Sequence, residues 1–150
     1  MGEKVYSPTN GKIMELSNVN DEVFAQRILG DGIAISPNEK EKSVVSPVNG
    51  KIKLVHEGKH AFGICTEFGT ELLVHIGIET VQLKGKPFKT KVKEGDIVKK
   101  GDLLTLVDWN HIKREGCDTE IMIIVLNSSI KTNKKNGYIL KGYPILEIDK

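Results

Sequence analysis

Two histidines, His60 and His75, fall within one stretch whose pattern brings them together. Adjacent imidazoles could accept a phosphoryl group, hold a metal or move a proton. The elements that must position them are the runs from His60 to Thr66 and from Glu71 to Ile78, separated by a short glycine-bearing connection. Apolar runs on either side of such a connection predict a β-hairpin. A Phe68-Gly69 loop sets Glu67 against Thr70 and therefore His75 against Phe62, with His60 as the diagonal neighbour. A Glu67-Phe68 loop sets the two histidines directly opposite each other. Either register puts both on one face, with Cβ atoms roughly 4.5–8 Å apart. A three-residue loop would send them to opposite faces, because one step of register flips every side chain.

Alternation places Leu72, Val74 and Ile76 on the core face of the second strand and Glu71, Leu73 and His75 on the other. Leu73 and Phe62 are expected to form an apolar rim around the imidazoles, as suits a docking surface. His56 could pair with His60 only on a helix, and Glu57-Gly58-Lys59 reads as a turn, so His56 is expected to be exposed. His111 is expected to be solvated on a short helix. Asp31, between Gly30 and Gly32, is either a turn former or a carboxylate at the site. Glu79 and Thr80 could cap a helical turn after the His75 strand, and Asp108 could cap a second helix.

The rest of the chain predicts a β architecture. The unit Ser7-Pro8-Thr9-Asn10-Gly11-Lys12-Ile13 returns as Ser46-Pro47-Val48-Asn49-Gly50-Lys51-Ile52. Each is expected to turn through positive-φ Asn-Gly. Gly-Asp corners at 95–96 and 101–102 flank another short strand. Further strands are expected at 32–36, 44–46, 50–55, 103–107, 120–126 and 144–148, the run from Ile121 to Leu126 being buried on both faces. Helix is limited to a turn or two near Asn20–Arg27 and near Asn110–Gly116. Repeated corners between short strands imply an antiparallel β-sandwich or barrel with short helical turns.

Length and composition fit one domain over residues 1–150. The 150 residues are 39% hydrophobic and include 15 glycines, enough for a core and many turns. Lys plus Arg (22) nearly balances Asp plus Glu (20), which argues against nucleic acid or an anionic membrane as partner. The basic run Lys131–Lys135 reads as a solvated loop. Cys65 and Cys117 have no metal-type spacing and read as reduced thiols. The start of the chain has neither a signal-peptide core nor a myristoylation signal, and no segment is apolar enough to span a membrane. A cytoplasmic protein without membrane insertion is expected.

Gly30-Asp31-Gly32-Ile33-Ala34-Ile35, His60-Ala61-Phe62-Gly63-Ile64 and the run from Val74 to Gly85 together resemble one family. It is the glucose-type enzyme IIA domain of the bacterial phosphoenolpyruvate-dependent sugar phosphotransferase system. The stretch from Phe88 to Asp108, the first Pro-x-Asn-Gly unit and Asp21-Glu22-Val23-Phe24 extend the resemblance over nearly the whole chain. Two positions depart from it: Gly58 stands where relatives often carry a threonine that orients the first histidine, and Glu120–Val125 replaces a commoner Thr-Pro-Val-Ile-Ile. The resemblance implies a duplicated hybrid motif fold and a phosphocarrier. In that reading His75 is phosphorylated on Nε2 by the carrier HPr and passes the group to a cysteine of a IIB domain for sugar uptake. His60 stabilises the phosphoryl group, and the Gly77 carbonyl holds Nδ1–H of His75. Asp31 and Glu79, with Leu73 and Phe62, face partners. No cofactor is required, adventitious zinc at His60 and His75 being the one metal allowed for.

Two other classes compete. A zinc-dependent peptidase-like hydrolase of related β architecture would need a His-x-His pair, which the chain lacks. A biotinyl or lipoyl carrier would share the corners from Lys93 to Leu104 but needs a lysine in a Met-Lys-Met or Asp-Lys-Ala context, and neither occurs.

Overall fold

Serine, proline and asparagine at the two repeated units organise the computed structural model, which describes residues 3–149. The Ser7 hydroxyl donates to the Thr9 carbonyl and the Ser46 hydroxyl to the Val48 carbonyl, both at 2.7 Å. The units clasp each other reciprocally: Tyr6 N–H donates to the Pro47 carbonyl and Val45 N–H to the Pro8 carbonyl, each at 2.9 Å. Each asparagine then receives a distant corner. Asn10 Oδ1 accepts the Lys141 N–H at 2.7 Å, and Asn49 Oδ1 accepts the Lys100 N–H at 2.9 Å. The duplicated sequence is thus a duplicated structure, with two equivalent corners related across the molecule.

These units do not turn as expected. Neither asparagine has positive φ, nor do Gly11 and Gly50. Glycine is required there by close approach instead: a Cβ at Gly11 would lie 2.3 Å from the Ser36 carbonyl oxygen, and one at Gly50 would lie 2.6 Å from that of Cys65. Both glycines open strands.

The strands in chain order are β1 (Glu3–Tyr6), β2 (Gly11–Glu15), β3 (Asp31–Pro37), β4 (Ser43–Val45), β5 (Gly50–Val55), β6 (Ala61–Cys65) and β7 (Glu71–Ile76). After them come β8 (Phe88–Thr90), β9 (Ile97–Val98), β10 (Leu103–Val107), β11 (Ile121–Val125), β12 (Ile130–Thr132), β13 (Gly137–Ile139) and β14 (Pro144–Ile148). An eight-stranded sheet runs β13-β2-β3-β11-β7-β6-β5-β9, and two three-stranded sheets run β1-β14-β12 and β4-β10-β8. All the pairings are antiparallel. The result is sandwich-like rather than a closed barrel.

One face of the large sheet packs on the small sheets through residues such as Ile33, Ile35, Phe62, Val74 and Ile123, against Val44, Leu104, Leu146 and Ile148. The other face carries a smaller apolar cluster of Leu16, Val19, Phe24, Ala34, Ile78, Met122 and Ile124. β11, between β3 and β7, feeds both clusters and is buried throughout as expected, but the strand stops at Val125 and Leu126, expected to be buried with it, is exposed. Helix is confined to short pieces. α1 (Glu22–Ala25) is capped by the Asp21 carboxylate on Val23 N–H at 2.9 Å, and α2 (Trp109–Arg114) by Asp108 on His111 N–H at 3.1 Å. Among the described residues no helix is long and apolar enough to cross a membrane. The reading of Met1 and Gly2 lies outside the described residues.

Candidate functional site

The small apolar cluster forms the floor of the site. One row of side chains crosses five strands on that face: Met14, Ala34, Met122, His75 and Ala61. His75 stands up between a methionine and an alanine, and the small Ala61 leaves room on one side. Phe24 of α1 closes the other, its ring centroid 4.9 Å from that of His75.

The register of the β6–β7 hairpin is not the one expected. Ala61 faces His75 and Phe62 faces Val74, which is the three-residue-loop register. Thr66 closes that loop: its N–H donates to the Thr70 carbonyl at 2.9 Å, its carbonyl accepts Gly69 N–H at 3.0 Å, and its hydroxyl accepts the N–H groups of Phe68 and Thr70. Gly69 at φ +83° supplies the left-handed residue that such loops need. Phe62 is therefore fully buried in the main core and cannot form a rim around the histidines. Leu73 does share the His75 face, half-buried against the small cluster.

The two imidazoles meet nonetheless, with centroids 4.8 Å apart at 78°. His60 lies just before the first residue of β6, where the chain leaves the ladder. Its carbonyl still accepts the Ile76 N–H at 2.7 Å, but Lys59 before it has φ +63°. Irregular backbone at the strand mouth turns the side chain toward His75, which strand alternation alone would forbid. A third ring joins them. His56 is half-buried, not exposed, with its centroid 4.5 Å from that of His60. Gly58 makes this stacking possible, since a Cβ there would lie 2.8 Å from His60 Nδ1.

Burial dominates the electrostatics. His75 is pushed down to about 4, first by desolvation and then by the neighbouring His60, with His56 adding a little; the Gly77 backbone and the Asp21 charge oppose this. His60 is also lowered, by burial and then by His56, with the Gly58 backbone opposing. Both rings are neutral near pH 7. Nδ1 of each is buried and has no hydrogen-bond partner among the described residues. Gly77 thus faces the His75 ring closely enough to favour its charged form, yet makes no hydrogen bond of full geometry to Nδ1.

Gly77 (φ +79°) ends β7 in a tight corner that fixes where His75 stands. A Cβ there would fall 2.4 Å from Thr80 Cγ2. Thr80 is buried and donates its hydroxyl to the Ile76 carbonyl, while Gly77 N–H donates to the Glu120 carbonyl at 2.8 Å. Glu79 is exposed in the left-handed region and makes no side-chain cap. Asp31 opens β3, three residues from Ala34 in the His75 row and so about 10 Å along the strand. Its carboxylate is exposed and paired with Arg27 at 2.8 Å. Asp21 is the carboxylate whose charge reaches His75, and sequence reasoning gave it no role at the site. The local signal was there, in a capping residue three positions before Phe24. His111 lies on α2, half-buried. Cys65 and Cys117 are free thiols. Among the described residues no group of three or more His, Cys, Asp or Glu side chains could hold a metal.

Residues 3–130 match the family described as "phosphoenolpyruvate-dependent sugar phosphotransferase system, EIIA 1". The chain is 45% identical over 125 residues to the "PTS system glucose-specific EIIA component" of Halalkalibacterium halodurans, covering 83% of this chain and 71% of that protein. It is 43% identical over 143 residues to the "PTS system glucose-specific EIICBA component" of Streptococcus pneumoniae, covering 93% of this chain and 19% of that protein. Against EIICBA relatives of this kind the chain spans about a fifth of their length. Among solved structures, glucose permease IIA from Mycoplasma capricolum superposes with a TM-score of 0.92 at 36% identity, covering 98% of this chain and 96% of that one.

Proposed function

The chain belongs to the EIIA 1 family of the phosphoenolpyruvate-dependent sugar phosphotransferase system, and on that premise we propose that residues 1–150 act as one phosphocarrier domain with His75 as its carrier. The observation that supports this most is the contact of the His60 and His75 rings with both Nδ1 atoms buried. His75 then presents the lone pair of Nε2, keeping its proton on Nδ1 on the side that Gly77 faces. That nitrogen attacks the phosphorus of phospho-HPr; the new N–P bond forms as the old one breaks, and the electron pair returns to the HPr imidazole. In the second step a IIB cysteine thiolate takes the phosphoryl group from His75 for delivery to a sugar.

His60 carries its proton on Nε2 in this account and donates it in a hydrogen bond to a phosphoryl oxygen. Such transfers need little beyond positioning and charge stabilisation. A lowered pKa suits the acceptor, because a protonated His75 has no lone pair to offer at Nε2. No cofactor enters. Partner docking excludes water and strengthens the His60 hydrogen bond as the local dielectric falls. In this reading Leu73, on the His75 face, and Glu79, past the end of β7, serve that docking, with Asp31 farther along the sheet. Rim carboxylates govern encounter and orientation more than chemistry. We assign the domain to the cytoplasm, in keeping with its free thiols.

The two histidines separate by substitution. With phosphoenolpyruvate, enzyme I and HPr, His75→Ala should take up no phosphoryl group by intact mass. His60→Gln should be phosphorylated but should pass the group poorly to a IIB domain. An unphosphorylatable His60→Gln beside a competent His75→Ala would reverse the roles.

A further inference from the structure

His56 heads the turn between β5 and β6, and that turn grips its side chain. The His56 carbonyl accepts Lys59 N–H at 2.7 Å, and His56 Nδ1 accepts Gly58 N–H at 3.0 Å. The imidazole is thereby tied to its own turn much as an aspartate or asparagine is in an Asx-turn. An accepting Nδ1 carries no proton, so the neutral ring is the Nε2–H tautomer. The tethered ring packs on His60 with centroids 4.5 Å apart at 59°.

Among the described residues no hydrogen bond of full geometry to Nδ1 orients the His60 ring. Its Nδ1 is buried and unpartnered, and the ring edge bearing Nδ1 and Cε1 lies over the Cα of Gly58, where a Cβ would be 2.8 and 3.1 Å away. The ring angle is then set by packing against His56, Gly58 and His75, with the Gly58 backbone beside the ring. From this geometry we propose that His56 is a positioning residue for phosphoryl transfer, a tethered ring that holds His60 at the angle from which it reaches a group on His75. The proposal rests on the phosphocarrier reading above. It places the effect of His56 on the step that His60 serves, the passage of the group onward, rather than on loading of His75.

The test compares the parent chain with His56→Ala and His56→Phe, the phenylalanine restoring a ring against His60. Loading from phospho-HPr and discharge to a IIB domain are timed separately by rapid quench. Cross-relaxation between the His60 and His75 ring protons reports whether the rings still meet. In His56→Ala, discharge should slow about tenfold while loading stays within about twofold, since small misplacements of a positioned group are costly. The His60–His75 cross-peaks should weaken in that variant. His56→Phe should recover discharge to within about threefold of the parent. A purely structural role would lower both half-reactions together and is excluded only by their separation. Equal loss of both steps, discharge in His56→Ala within twofold of the parent, or no recovery in His56→Phe would overturn the proposal. A parent chain that accepts no phosphoryl group would instead overturn the functional reading, and this proposal with it.

Discussion

At the residue scale, His75, the proposed carrier, stands in a setting that resists protonation and so keeps a ring lone pair free. Burial is the leading cause of its depressed pKa of about 4, and the adjacent His60 adds to it. The consequence for stability has a definite sign. The folded pKa lies below the unfolded value of 6.5, so between pH 6.5 and 4 the unfolded chain binds more protons than the folded one. The stability that the neutral buried ring permits is complete above pH 6.5 and declines as pH falls through that window, by up to ~3 kcal/mol at ~1.36 kcal/mol per pKa unit. His60, lowered in the same direction, adds to the slope. Urea unfolding from pH 7 to pH 4 should therefore show a steep loss of stability in the parent and a flatter one in His75→Gln, which cannot titrate. Parallel slopes would mean that His75 is not held neutral.

Elements deliver these residues, and here legibility from sequence was uneven. The β6–β7 hairpin follows from two apolar runs, and the face of His75 follows from alternation. Its register does not, because the two-residue loops made Gly69 either the second turn residue or the first strand residue, rather than the left-handed third residue of a three-residue loop. That single step buried Phe62 in the main core. His60 reached His75 anyway, through the irregular backbone at Lys59, a feature no periodicity encodes. His56 was judged by helical spacing, whereas a β-turn brings residues four apart equally close. Phe24 and Asp21 are distant in sequence, and only the packing of α1 on the sheet places them at the site. The corner after β7 gives a prediction at this scale. Gly77→Ala must adopt φ near +79° and place its Cβ 2.4 Å from Thr80 Cγ2. It should lose about 1–3 kcal/mol in denaturant unfolding and shift the His75 ring resonances. An unchanged unfolding midpoint would show that the corner is not strained by a side chain.

On the scale of the whole molecule, the repeated Ser-Pro-x-Asn-Gly units were plain in the sequence, but their purpose was not. They lock two corners reciprocally and so hold the small sheets against one face of the large one. The opposite face is left to carry the small apolar cluster and the three imidazoles. With one face of the large sheet committed to the core, the other is the face on which the proposed phosphoryl transfer is placed. The most direct test of that account is to phosphorylate 15N-labelled protein with phosphoenolpyruvate, enzyme I and HPr and read the nitrogen–phosphorus coupling by NMR. The account predicts one phosphoryl group, coupled to Nε2 of His75, with the His60 ring resonances displaced by its new hydrogen bond. Coupling to His60, to His56 or to Nδ1 of His75 would contradict it.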